Sequence, residues 1–266
     1  MKILAATLLV SIYLLCLAAG WIVMHPPAQQ FRDHIEERPS AHFWLGTDAL
    51  GRDRFARLLY GGRVSLLLAP LCAIASVGIA LALASLAVNC GEAIRSGIAV
   101  AGDLTLTLPW MFLLLILRGA IPLDASETLT LFATATILAI LGWAGPARVL
   151  QASLQSLLRA PHVEAARARG VPALRRWRHH ILPLLLPLAM AQIALLVPFY
   201  LLAEANLGIL GLGVAESIPT WGNLLAEVER AVLANGPLEW AAFIPVLALT
   251  TVCGCIYFLI PSETNE

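Results

Sequence analysis

Lysine is almost absent from this chain: among 266 residues only Lys2 carries an amine side chain. A phosphate-binding loop of the Gly-x-x-x-x-Gly-Lys-Ser/Thr type needs an internal lysine, so the chain is no P-loop ATPase. If ATP drives its activity, another polypeptide binds the nucleotide. Charge of either sign is scarce: 13% of residues are charged and 59% hydrophobic, against an average of about 25% charged in soluble domains. That excludes an ordinary soluble domain. The formal net charge of zero argues against a nucleic-acid partner. The five cysteines, Cys16, Cys72, Cys90, Cys253 and Cys255, lie within or at the edge of apolar runs and lack metal-ligand spacing. They read as small core residues rather than disulfides. His-Glu-x-x-His and Gly-x-Ser-x-Gly are both missing. His25, His34, His42, His162, His179 and His180 all fall outside the apolar runs, which leaves no paired set for intramembrane chemistry. No catalytic or metal-ligating residue is assigned, and the chain reads as not an enzyme.

What is present is a series of long apolar runs: residues 3–24, Val64–Val88, Ile98–Leu117, Leu129–Val149, Pro183–Gly213 and Leu238–Ile260. About 20 apolar residues cross a bilayer as a helix. The spacing predicts an all-α polytopic membrane protein with about six transmembrane helices. The first run exceeds the core of a signal peptide and reads as a retained helix. The Arg148–His180 loop holds Arg148, Arg159, Arg167, Arg169, Arg175, Arg176 and Arg178 against a single acid, Glu164. The positive-inside rule puts that loop, and with six spans both termini, in the cytoplasm. Residues 25–62 then lie outside, although they too carry arginines.

In that outer segment Arg52, Arg54, Arg57 and Arg63 stand against Asp48 and Asp53. Asp48 reads as the N-cap of a following helix, and the plain reading is a solvated amphipathic helix on the membrane surface. Asp103, Glu204 and Asn206 fall inside apolar runs, where charge faces a bundle interior or water. A helix begun at Pro183 carries Glu204 roughly 30 Å onward at 1.5 Å per residue. Glu204 and Asn206 are therefore candidates for an outer vestibule; the alternative is a carboxylate that snorkels or pairs with an arginine such as Arg63. The Gly208, Gly211 and Gly213 run reads as a helix end or close packing. Pro187 and Pro198 read as kinks.

The charged island between the fourth and fifth runs is Glu164-Ala165-Ala166-Arg167-Ala168-Arg169-Gly170, leading on to Ile181-Leu182-Pro183. As a helix it puts Val163, Ala166 and Gly170 on one small face suited to close approach by a partner's backbone. Gly170 ends that helix, Pro172 restarts it at a first-turn position, and Pro183 opens the next span. On these residues alone, a knob for a partner and a merely basic surface loop both fit. The order Glu-Ala-Ala, three residues, Gly, ten residues, Ile-Leu-Pro resembles the coupling loop of ABC-importer permease subunits. Two further stretches resemble the peptide- and nickel-type members. One is Leu45-Gly46-Thr47-Asp48-Ala49-Leu50-Gly51-Arg52-Asp53 with Arg57, Tyr60-Gly61 and Arg63-Val-Ser-Leu66. The other is Leu202-Ala-Glu-Ala205 with Leu210-Gly-Leu-Gly213 and Trp221-Gly-Asn-Leu-Leu-Ala-Glu227.

The resemblance implies the type I (MetI-like) ABC-importer permease fold. Residues 1–24 would form an N-terminal transmembrane helix, 25–62 a periplasmic leading segment, and 63–261 the permease domain with a cytoplasmic coupling loop at 148–182. It implies half of a translocation pore for peptides or a similar small solute such as a nickel chelate, in a bacterial inner membrane. Implied partners are a second permease subunit, two ATPase subunits that bind the ATP, an extracytoplasmic solute-binding protein and membrane lipid. Glu164, Ala165, Ala166, Gly170, Ile181, Leu182 and Pro183 would couple to the ATPase. Gly46, Thr47, Asp48, Gly51, Arg52 and Asp53 would form the family's leading motif. Departures are a short tail, Ser262–Glu266, and short loops at Cys90–Ser96 and Pro122–Ser126. A same-fold permease for another small solute and a non-transporting membrane scaffold subunit remain alternatives.

The missing internal lysine yields a direct expectation: the purified chain alone neither binds nor hydrolyses ATP. Radiolabelled-nucleotide binding and phosphate release on a clean preparation check this; specific hydrolysis would contradict it.

Overall fold

A computed structural model describes residues 1–122, 125–214, 217–233 and 240–260. It is helical, and among the described residues the only β pairing is an isolated bridge between Thr47 and Asp53. The helices are α1 (Lys2–Leu17), α2 (Ala19–Ile22), α3 (Arg54–Asn89), α4 (Glu92–Thr107), α5 (Trp110–Gly119), α6 (Glu127–Leu141), α7 (Ala144–Leu158), α8 (Pro161–Ala168), α9 (Ala173–Arg176), α10 (Leu182–Ile209), α11 (Trp221–Leu233) and α12 (Ile244–Leu259).

Among the described residues each expected apolar run is largely helical, but the spans differ in kind. Arg54–Asn89, Ala173–Ile209 and Trp240–Leu259 are each long and apolar enough to cross a bilayer. Two further spans exist only as bent pairs, α4 with α5 at 92° and α6 with α7 at 42°, and α1 is shorter. The sharp bend has a local cause. Pro109 pushes Leu108 out of helical geometry to ψ 137°, as the residue before a proline is pushed. The third run is therefore not one straight helix. The second run begins earlier than expected, because the helix already starts at Arg54. The fifth also begins earlier: helix runs from Ala173 through a π turn at Trp177–Ile181 into α10, so Pro183 lies inside it. A widened turn just ahead of a proline relieves the clash of its ring with the preceding turn.

The chain divides into two compact units. Unit 1 comprises Met1–Ala69, Arg118–Ala135 and Pro198–Glu266; unit 2 comprises Pro70–Leu117 and Thr136–Val197.

In unit 1, α1 packs along α12, and α11 against α12. Trp221 at the start of α11 is fully buried; its indole Nε1 donates to the Leu58 carbonyl at 3.1 Å and its backbone N–H to Ser65 Oγ at 3.1 Å. Small residues permit this. A Cβ on Gly208 of α10 would lie 2.4 Å from the Gly222 carbonyl carbon, so backbone meets backbone there. Gly211 closes α10 at φ 71°, with its N–H on Gly208 O and the Leu212 N–H on Leu207 O. That is a left-handed helix cap, so the glycine run serves both as helix end and as close packing, as expected.

In unit 2, Val77, Ala80 and Ala84 of α3 pack with Ala147 and Leu150 of α7 and Leu185 and Ala189 of α10. Leu154, Val163 and Ile181 extend this core under α8. Asp103 of α4 does not face inward. It is exposed and paired with Arg148 of α7, so two charges on one outer face neutralise each other.

Gly208→Leu should lower stability by about 3 kcal/mol or more, since backbone cannot yield as a side chain does. Gly78→Ala, with nothing within 4 Å of the added carbon, should be neutral or stabilising. Thermal unfolding in detergent compares the two.

Candidate functional site

Two stretches singled out by sequence acquire definite geometry, one in each unit.

In unit 2, Pro161 opens α8 in its first turn, Glu164 lies one turn in, and both are exposed. The helix ends at Gly170, φ 73°, with the Gly170 N–H on Arg167 O at 3.0 Å and the Val171 N–H on Ala166 O at 3.1 Å. A Cβ on Gly170 would meet nothing within 4 Å. The glycine is thus required by backbone conformation, not by crowding. Arg176 Nη1 donates to the Val171 carbonyl at 2.6 Å and locks the corner. Pro172 is the N-cap residue of α9 rather than its first helical position.

The face expected to meet a partner is corrected. Val163 and Ala166 are both buried, and Val163 packs inward with Leu154 and Ile181. What remains outward is Glu164, Ala165, Arg167, Ala168, Arg169 and Gly170. Ile181 is likewise core, Leu182 half-buried and Pro183 exposed. Sequence reasoning missed Leu174, which is 79% exposed among arginines beyond the corner. Its signal was an apolar residue directly before the Arg175-Arg176 pair.

In unit 1, the Leu45–Asp53 motif is not helical, and apart from the exposed Ala49 and Leu50 it is buried or half-buried. It folds as a tight loop closed by the Thr47–Asp53 bridge, with Gly46 at φ 70° and Gly51 at φ 72°. A Cβ on Gly51 would lie 2.2 Å from the Phe31 carbonyl oxygen, and one on Gly46 2.2 Å from that of Glu37. Thr47 Oγ1 accepts from the Glu37 N–H and donates to the His34 carbonyl. Asp48 Oδ1 accepts from the N–H groups of Leu50 and Arg52. The helix cap is Asp53, not Asp48: its Oδ1 accepts from the Phe55 N–H at 2.9 Å at the start of α3.

Asp48 instead joins a buried ion cluster. Its Oδ2 takes Arg52 Nε at 2.6 Å and lies 3.5 Å from Arg57 Nε. Glu227 of α11 binds Arg57 at 2.6 Å and Arg52 at 3.2 Å. Burial pushes the Glu227 carboxyl up from its ordinary value, Arg57 and Arg52 oppose this, and Asp48 adds to it. The cluster ties the loop, α3 and α11 together.

Glu204 does not face open space. It is buried, accepts from Ser65 Oγ at 3.1 Å, and lies against the Thr220 hydroxyl and Gly222 N–H at the start of α11. Asn206, two residues on, is exposed. Chemically, these groups hold elements together. No group of three His, Cys, Asp or Glu among the described residues is placed to bind a metal ion.

Arg57→Met should cost about 3–5 kcal/mol, because the buried Asp48 and the half-buried Glu227 are then under-compensated. Arg57→Met with Glu227→Gln should cost less than the sum of the single changes. Unfolding midpoints of the three variants measure the coupling.

Comparison with known proteins bears on what this arrangement serves. Residues 74–261 match the family described as binding-protein-dependent transport system inner membrane component. A putative peptide permease protein of Brucella suis is 32% identical over 224 residues, covering 82% of this chain and 72% of that one. A di/tripeptide transport system permease protein of Pseudomonas aeruginosa is 34% identical over 230 residues, covering 81% and 72%. The oligopeptide transport system permease protein of Escherichia coli is 26% identical over 258 residues, covering 94% and 82%. Taken with the apolar helices, these matches mean that the chain belongs to the binding-protein-dependent transport inner membrane component family and is a multi-pass permease subunit of an ABC transporter.

Proposed function

We propose that this chain forms one half of the pore of a peptide importer, paired with a second, related permease subunit. Two separate ATPase subunits bind the ATP, an extracytoplasmic binding protein delivers the solute, and the chain itself catalyses nothing. Peptides are the solute class because the relatives carry peptide, di/tripeptide and oligopeptide names. In this reading residues 1–24 anchor the chain, 25–62 lie on the periplasmic side and 63–261 form the permease domain. The 148–182 loop and both termini are cytoplasmic, in line with its arginines.

The observation that carries the reading is the α8 corner. A short helix with its apolar side bound inward presents Glu164, Ala165 and Arg169 outward. It ends on a glycine whose left-handed backbone is fixed while the space around it is open. Such a corner suits insertion into a groove on a partner. Leu174 beside it offers an apolar anchor for the same contact. ATP binding then drives transport by favouring one conformation of the bundle over another, which requires unequal contact with the two states. Gly46, Thr47, Asp48, Gly51, Arg52 and Asp53 act as a rigid mount for the periplasmic side. Of Glu204 and Asn206, the exposed Asn206 is the better candidate for the outer vestibule.

Gly170→Trp and Glu164→Lys should each abolish solute uptake while the chain still reaches the membrane. The first puts an indole on an open docking face and strains the corner. The second adds an eighth positive charge to the loop and removes a carboxylate favourable near a helix start by about 0.3–1 kcal/mol. Uptake together with ATPase co-purification measures both; two variants with wild-type behaviour would leave only a basic surface loop.

A further inference from the structure

Unit 1 holds a cationic side chain that none of the interactions above uses. Arg118, in the last turn of α5, is 4% exposed. Its Nη2 donates to the Gly213 carbonyl at 3.1 Å. Its Nε and Nη1 are sealed from solvent and meet no acceptor among the described residues. The side chain lines a cavity of about 380 Å³ beside the end of α10, within the usual range of about 300–1,000 Å³ for small-ligand sites. A second guanidinium, Arg230 of α11, stands at the same cavity and is exposed. The described residues that line it include no acid.

A guanidinium kept from water with no acid beside it among the described residues is unfavourable, and its flat fork fits the two oxygens of a carboxylate. The amide of Asn223, also on the wall, already donates to the Val214 and Ile218 carbonyls, so it does not compete for that role. Gly208 and Gly211 leave part of the wall without side chains, which lets a ligand's backbone come close. Among the described residues Ile209 and Val214 are the only branched aliphatic ones there, a poor wall for an acyl chain.

We propose that this cavity binds the free carboxylate of the transported solute, toward which the buried Arg118 guanidinium turns as the fork, with Arg230 at the margin. The proposal rests on the peptide-import reading, and names the part of the peptide that is recognised. Arg118 thereby distinguishes a peptide acid from its amide inside the membrane component, separately from any choice made by the binding protein.

The test uses the complete transporter in lipid nanodiscs, with its sister permease and ATPases but without the binding protein. Thermal unfolding midpoints are read against tri-alanine, tri-alanine amide and inorganic phosphate, for wild type, Arg118→Gln and Arg118→Lys. Tri-alanine should raise the wild-type midpoint and its amide should not. Arg118→Gln should need about tenfold more tri-alanine for the same shift, and Arg118→Lys should fall between. Equal shifts with acid and amide, an unchanged response in Arg118→Gln, or a phosphate shift matching that of tri-alanine would each overturn the proposal. Loss of the sister subunit from both variants would overturn it too, making the cavity an interface. Uptake into proteoliposomes with the binding protein separates the two readings: no tri-alanine uptake by wild type defeats peptide import, while the acid-against-amide contrast in nanodiscs still decides the carboxylate site.

Discussion

Three buried charges and a half-buried fourth have to be reconciled before unit 1 can close. Asp48, Arg52 and Arg57 are each more than nine-tenths buried, and Glu227 completes the set. Desolvating such groups costs several kcal/mol per ion, and their attraction offsets that only in good geometry with the remaining hydrogen bonds met. The geometry is supplied by the loop. Gly46 and Gly51 bend the chain where a Cβ would strike carbonyl oxygens, and Asp48 is held by two backbone N–H groups before it meets a guanidinium. The loop, the start of α3 and α11 are therefore fixed by one mutual condition. Aromatic packing of His25, Phe31 and Phe43 over the loop adds apolar cover.

Unit 2 depends on less. Its core is aliphatic and small, Ala80 and Ala84 against Ala147 and Leu150, with Leu154, Val163 and Ile181 below. Alanine-rich contact lets helices approach closely, as membrane helices do. The α8 corner is held to this core by Val163 and closed by backbone hydrogen bonds. Its inner side is thus ordered by packing while its outer side remains polar and open.

Features set by neighbours along the chain were legible in the residues. Gly170 and Gly211 end helices because only a residue without a Cβ takes a left-handed cap cheaply; the first could be read from spacing, the second only as one of a run of three glycines. The all-α class followed from apolar run lengths. Features set at long range were not legible. Choosing between Asp48 and Asp53 as the cap needs Glu227, 170 residues beyond Arg57. Spacing gave Val163 and Ala166 a common face but could not say that Leu154 covers it. Asp103 looked like an interior charge until Arg148 on α7 came beside it on the exposed side. Pro183 looked like a helix start because a π turn leaves no mark in composition.

Direct backbone contact between Gly208 and Gly222 has a mechanical consequence. Packed side chains can rotate between rotamers and absorb a small displacement; two main chains in contact have no such give. Glu204 and Gly222 repeat the contact one turn away, where a Cβ would lie 2.7 Å from the Glu204 carbonyl oxygen. The last turns of α10 and the first turn of α11 thus behave as one lever. A tilt of α10 at that end is therefore shared with α11, which carries Glu227 of the ion cluster.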